Sequence, residues 1–251
     1  MPHHLLDQPW GRLAYETAGA SGPCLLFLHG TGCDNRDWDA VRARLPARGL
    51  RLVFLEFRGH GASDVSAADF TLGDLADDAL ALLAHLGIPR AWFVGHSLGG
   101  MVALAAARRN PKAVQGLLQL EGWTNLRASG AFGPNRFFGN LGPEAIRRIQ
   151  DKSAATRARH APERWSAFWS TVQSFDGSDV LASPPGPVWQ VYGELGRRPD
   201  TAARLEVPVH PAIPWHWVPG CGHYIPIEKP IETAALCAKA ASGEALQDTP
   251  N

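Results

Sequence analysis

Short apolar runs and stretches of helical period alternate along the first half of the chain. Gly11 to Thr17 repeats apolar and polar positions with a period of two, and Cys24 to Leu28 is a continuous apolar run of the kind shown by a strand buried on both faces. Asn35 to Leu45 sets Trp38, Val41 and Leu45 on one side of a helix, and Arg51 to Phe57 returns to strand. The polar, Gly-rich Arg58 to Asp64 reads as a loop. Leu72 to Leu86 is helical, with a stripe of Leu75, Ala79, Leu82 and Leu86. Ala91 to Gly95 is a strand and Leu98 to Arg109 a helix closed by Pro111, followed by a strand at Gln115 to Leu120. This alternation predicts an α/β fold, a mostly parallel sheet covered by helices on both faces.

The rhythm stops after Glu121. From Trp123 to Ser183 no comparable strand appears, while Pro143 to Lys152 and Pro162 to Phe175 are helical, the first opening with Pro143 in an early-helix position. Strand character resumes at Pro187 to Tyr192 and Pro214 to Val218, with short helical stretches at Thr201 to Leu205 and Ile231 to Ala241. Ser242 to Asn251 reads as a polar tail. The division expected is a core of residues 1–122 and 184–251, with residues 123–183 inserted as a helical cap. The insert holds Phe132, Phe137, Phe138, Phe168 and Phe175, half of the 10 phenylalanines, so some of its aromatic rings should line a cleft.

Composition narrows the partner. The 251 residues suffice for one large core, and 24 Lys plus Arg balance 24 Asp plus Glu, which offers no attraction to a phosphate backbone or an anionic membrane. A small molecule is the expected partner, bound by a monomer or homodimer. Met1 to Asp7 lacks the basic start and apolar stretch of a secretory signal, and no run is long enough to span a bilayer. Cys24, Cys33, Cys221 and Cys237 have no Cys-x-x-Cys spacing, so reduced thiols in a cytoplasmic protein are expected, with a periplasmic form carrying one disulfide as the alternative. The histidines lack paired metal-ligand spacing, so neither a metal nor another cofactor is implied.

The chemistry centres on Gly95-His96-Ser97-Leu98-Gly99. A Gly-x-Ser-x-Gly match is informative when a strand precedes it and a helix follows, because the serine then sits on a strained turn with its hydroxyl exposed. Both conditions hold here. Two further signals follow strands of the same sheet: His29-Gly30-Thr31-Gly32 after the early buried run, and Gly220-Cys221-Gly222-His223 after the last strand. A capping serine and a structural histidine are the plain alternatives, but their common position at the carboxyl ends of parallel strands argues for a site.

In these motifs, in the loop Arg58-Gly59-His60-Gly61-Ala62-Ser63, and in Glu228 and Pro230, the chain resembles the α/β-hydrolase superfamily over nearly its full length. The resemblance implies Ser97 as nucleophile, His223 as general base, the N–H groups of Thr31 and Leu98 as oxyanion hole, and a cap over the site. It implies a structural role for Arg58 and His60. The acid departs from the commoner pattern, because the position expected to carry aspartate after the strand beyond the cap is glycine in Gly193-Glu194-Leu195-Gly196. Glu121, directly after Leu120, is the first candidate, with Glu194 and then Asp200 held open behind it.

The leading expectation is a serine hydrolase of a small, fairly apolar carboxylic ester or lactone, acting through an acyl-enzyme. Carbon-carbon cleavage of a β-diketone-like substrate and a small-ligand-binding protein on the same fold are the alternatives, and a cofactor-free peroxidase side activity stays open. The expected pocket is formed by Trp123, Phe137, Phe138, Trp165 and Trp169, with Arg127, Arg136, Arg147 and Arg148 able to anchor a carboxylate.

Overall fold

The computed structural model describes residues 3–46, 49–134 and 136–246. In chain order the elements are β1 (His3–Gln8), β2 (Gly11–Ala18), β3 (Cys24–Leu28), α1 (Asp39–Arg42), β4 (Arg51–Leu55), α2 (Leu72–His85), β5 (Ala91–His96), α3 (Leu98–Arg109) and β6 (Val114–Leu120). There follow α4 (Pro143–Ala158), α5 (Pro162–Ser174), α6 (Ser178–Ala182), β7 (Val188–Gly193), α7 (Thr201–Arg204), β8 (Trp215–Val218), α8 (Ile225–Glu228) and α9 (Pro230–Ser242). The strands form one sheet in the order β1-β2-β4-β3-β5-β6-β7-β8. From β4 to β8 every pairing is parallel, while β1 and β2 are antiparallel additions at one edge.

The continuous apolar runs are explained by burial on both faces. In β3, Leu26 and Leu28 join the side packed by α2 and α3, whereas Leu25 and Phe27 face the side packed by α1 and α9. In β5 the same division separates Phe93 from Trp92 and Val94. Thr71 caps α2, its side chain accepting from the Asp74 amide while the Asp74 carboxylate accepts from the Thr71 amide.

Several boundaries differ from expectation. The Asn35 to Leu45 stretch is a 3-10 turn, Asn35–Trp38, running into the single turn of α1. β1, α6 and α8 are additional elements. α4 continues past Lys152 to Ala158 through a stretch that lacks an apolar period but carries the strong helix formers Ala154, Ala155, Arg157 and Ala158; of this helix Ile149 and Thr156 are buried. Of the tail, residues 247–251 lie outside the described residues. No helix among the described residues is long and apolar enough to cross a membrane. The four cysteines are free and buried.

Residues 123–183 lie between β6 and β7 and dock through both apolar and polar contacts. Phe168 and Val172 of α5 are buried in the main cluster. Arg159 donates to the carbonyls of Gly61 and Ser63, each at 2.7 Å. The Lys152 ammonium reaches Asp34 at 3.1 Å and Asp37 at 2.5 Å.

Burial also makes the fold sensitive to acid. His60 is pushed down to about 3 by desolvation and then by neighbouring His29, and His96 is likewise pushed to about 3 by burial and then by His223. Both stay neutral in the folded chain but take up protons in the unfolded chain below about pH 6.5, so stability declines from there toward pH 3. Melting curves between pH 7 and 4 should show this decline, with a shallower slope in His60→Asn. An unchanged slope in that variant would remove His60 from the explanation.

Candidate active site

The sheet order reverses between β3 and β5, where the chain's crossovers run to opposite sides and open a crevice beyond the strand ends. Ser97 sits there, between β5 and α3, with φ 53° and ψ −117°. A non-glycine residue at positive φ is strained and persists where its surroundings over-determine it. The constraint is visible at Gly99, where an added Cβ would lie 2.1 Å from the Leu28 carbonyl oxygen, so α3 packs against β3 only with glycine. Ser97 remains partly exposed.

His29-Gly30-Thr31 follows β3 on the other side of the crevice. The buried His29 ring donates from Nδ1 to the Gly30 carbonyl at 2.7 Å and accepts from the Phe57 amide at Nε2 at 3.1 Å, an arrangement that needs neutral imidazole. Burial holds its pKa below the ordinary value. The Gly30 carbonyl also accepts from the Cys33 amide at 3.2 Å. Both bonds fix the Gly30–Thr31 peptide, whose N–H points opposite to its carbonyl. Leu98 is the first residue of α3, so its N–H has no acceptor within the helix.

Glu121 directly follows β6, fully buried and at φ 53°. Its Oε2 lies 3.2 Å from His223 Nδ1, while its Oε1 accepts from the Gly193 amide at 2.7 Å and from the Arg136 guanidinium. Glu194 and Asp200 are exposed, and Asp200 faces Arg204. The structure therefore brings Glu121, and neither alternative, to His223.

The His223 loop is held by groups both near it in the chain and far from it. Glu228 accepts from the amides of Gly222 and Tyr224 at 3.0 and 3.2 Å, and from that of Asn140 at 3.1 Å. His96 Nε2 donates to the His223 carbonyl at 3.0 Å. The rings of Phe137 and Trp123 both stack on the imidazole, with centroids at 4.8 and 5.7 Å.

A cavity of about 810 Å³ joins these parts; Gly30, Thr31, Ser97 and His223 line it together with Trp123, Phe137, Phe138 and Trp169. Trp165 is not among the lining residues. Its ring packs 4.9 Å from His160 and 6.3 Å from His60, so it serves the contact between α5 and the Arg58 to Ser63 loop. The arginine expectations also change. Arg136 lines the cavity but is committed to Glu121; Arg127 pairs with Glu206 and Asp176; Arg147 and Arg148 line a separate cavity. Arg157, which carries no sequence signal, is the other arginine among the described residues that line the site cavity. Arg58 binds Asp78 through two bonds of 2.6 and 3.0 Å, away from the site.

A family model described as the alpha/beta hydrolase fold matches residues 23–174, more than half of the chain. The chain belongs to the α/β-hydrolase family. The first curated relatives of this α/β hydrolase, uncharacterised proteins of Mycobacterium bovis and Mycobacterium tuberculosis, are 39% identical over 107 residues, 43% of this chain and 31% of theirs. The chain thus spans about a third of the length of the relatives it matches first. A 2-(acetamidomethylene)succinate hydrolase of Mesorhizobium japonicum is 27% identical over 82% of this chain and 83% of its own. The solved structure of Est816, described as an N-acyl homoserine lactone degrading enzyme, superposes with a TM-score of 0.73 at 25% identity, covering 94% of this chain and 99% of that one. A carboxylesterase from Bacillus subtilis shares the fold of this α/β hydrolase, with a TM-score of 0.75 at 20% identity over 97% of this chain and 92% of its own.

Proposed function

We propose that the protein is a serine hydrolase that cleaves a small, fairly apolar carboxylic ester or lactone through an acyl-enzyme. The observation that carries this reading is the hydrogen bond from His223 to the buried Glu121 carboxylate, behind a cavity that His223 lines together with Ser97 on its strained turn. Ser97 Oγ attacks the carbonyl carbon as His223 Nε2 takes its proton, and the Glu121 carboxylate stabilises the resulting imidazolium. The oxyanion is received by the N–H groups of Thr31 and Leu98. Collapse expels the alcohol, which takes the proton from His223. Water activated by the same imidazole then attacks the acyl carbon, releases the carboxylic acid and restores Ser97. Residues 123–183 form a cap whose Phe137, Phe138, Trp123 and Trp169 receive the apolar part of the substrate. The Est816 likeness supports a lactone among the candidates, and the carboxylesterase supports only the fold.

The test is a panel of esters, thioesters, lactones and β-diketones, each assayed with the wild type and with Ser97→Ala. Ester or lactone turnover that depends on Ser97 is expected. Exclusive diketone cleavage would move the reading to carbon-carbon hydrolysis, and tight binding of panel compounds without turnover would favour a binding protein.

One arrangement favours a second substrate class. Among the described residues the cavity lining has no aspartate or glutamate but includes Arg157, for which no ion pair is present among them. An anionic substrate would suit that guanidinium, as would the succinate named for the Mesorhizobium relative. Matched neutral and carboxylate-bearing esters separate the classes: the proposed preference is for the neutral series. A preference for the charged series that vanishes in Arg157→Ala would establish the second class.

A further inference from the structure

We infer that Arg136 is a positioning residue for catalysis, holding the Glu121 carboxylate turned toward His223, so that the proposed cap supplies part of the catalytic hydrogen-bond network. The inference rests on the serine-hydrolase reading above. Arg136 is itself buried, 7% exposed, although no spacing rule points to it. Its guanidinium donates from Nη2 to Glu121 Oε1 and from Nε to the Leu195 carbonyl at 3.0 Å, and lies 3.5 Å from the centroid of the Phe132 ring. It therefore joins the segment after β6, the segment after β7 and its own loop between Phe132 and α4.

The direction of the bonds assigns the role. Oε1 receives Arg136 and the Gly193 amide, both obligate donors there, which leaves Oε2 to face His223 Nδ1. A carboxylate with no exposed surface requires a compensating charge, and Arg136 is the cation paired with it. Without that partner Oε1 keeps only the Gly193 amide, and a carboxylate held at one point rotates out of line with the imidazole. Arg136 also lines the substrate cavity, so a role as substrate anchor is the competing explanation.

The two explanations part in a double-substitution cycle read by the rate of fluorophosphonate labelling and by kcat and KM on a neutral short-chain ester. Arg136→Met should slow labelling and lower kcat by about 10- to 100-fold, the scale of losing an outer partner that orients a functional histidine. KM should change by less than about threefold, since no ground-state contact is removed. In a Glu121→Gln background the same substitution should cost less than about threefold, because the carboxylate oxygen that accepts from the imidazole, which Arg136 serves to orient, is already lost. Arg136→Lys keeps the charge with poorer geometry and should recover most of the loss. If Arg136→Met does not fold, Arg136→Lys in the two backgrounds and the double variant Arg136→Met/Glu121→Gln, which buries no lone charge, carry the comparison. An equal loss in both backgrounds, or a raised KM with kcat intact, would overturn the positioning role. A wild type that is not labelled at Ser97 would overturn the hydrolase reading and this inference with it, whereas labelling without coupling between Arg136 and Glu121 defeats this inference alone.

Discussion

Ser97→Ala is expected to lower turnover by about 10⁵- to 10⁶-fold, the scale seen when a serine protease loses its nucleophile. The loss is chemical. Alanine keeps the Cβ that the φ 53° turn already accommodates and leaves the close approach of Gly99 to β3 untouched, so the elbow has no reason to collapse. What disappears is the hydroxyl oxygen proposed to bond the acyl carbon. The variant should melt within a few degrees of the wild type and retain its far-ultraviolet spectrum. Turnover above about a hundredth of the wild-type rate would show that the reaction proceeds without a seryl intermediate.

Glu121→Gln should lower turnover by about two to four orders of magnitude, as an acid-to-amide change does in a serine protease. The neighbouring donors decide how the amide is oriented. Gly193 N–H and Arg136 both require an acceptor at the Oε1 position, so the glutamine oxygen stays there and its NH₂ group faces His223 Nδ1. The imidazole must then accept at Nδ1 and carry its proton on Nε2, the nitrogen needed to take the proton of Ser97. The same change leaves the Arg136 guanidinium buried without its carboxylate, so it should cost about 3 to 5 kcal/mol of stability. Sequence alone leads to an expectation of stability near the wild type, because the pairing of Glu121 with Arg136 is not visible there. Glu194→Gln, at an exposed position, should change either quantity little. If Glu194→Gln proves the more damaging, the acid belongs after β7 and Glu121 only anchors the loop of Arg136.

The legible parts of this molecule are those governed by short-range pattern. The central strands declare themselves because burial on both faces demands continuous apolar runs, as in Cys24 to Leu28, and α2 because one stripe faces the sheet. β1 does not, since an edge strand with alternating exposed and half-buried residues needs little apolar character. The second half of α4 is similarly hidden, because a helix with few buried side chains has little periodicity to read. Ser97, His29 to Thr31 and His223 stand out because each sits in a Gly-rich turn after a strand. The pairing of Arg136 does not: its partners, Glu121 and the Leu195 carbonyl, lie in distant loops, and long-range pairing leaves no local mark. Trp165 shows the converse limit, since an aromatic side chain in the insert can seal a packing seam as readily as a pocket.

The acyl-enzyme is tested most directly by mixing the protein with a chromogenic short-chain ester, quenching within milliseconds to seconds, and measuring both the product burst and the mass of the protein. The expected result is a burst approaching one equivalent of alcohol per active site, with the acyl mass added to the peptide that contains Ser97 and absent from Ser97→Ala. Steady turnover with no burst and no added mass under conditions where deacylation is slow, or an acyl group found on another residue, would contradict it.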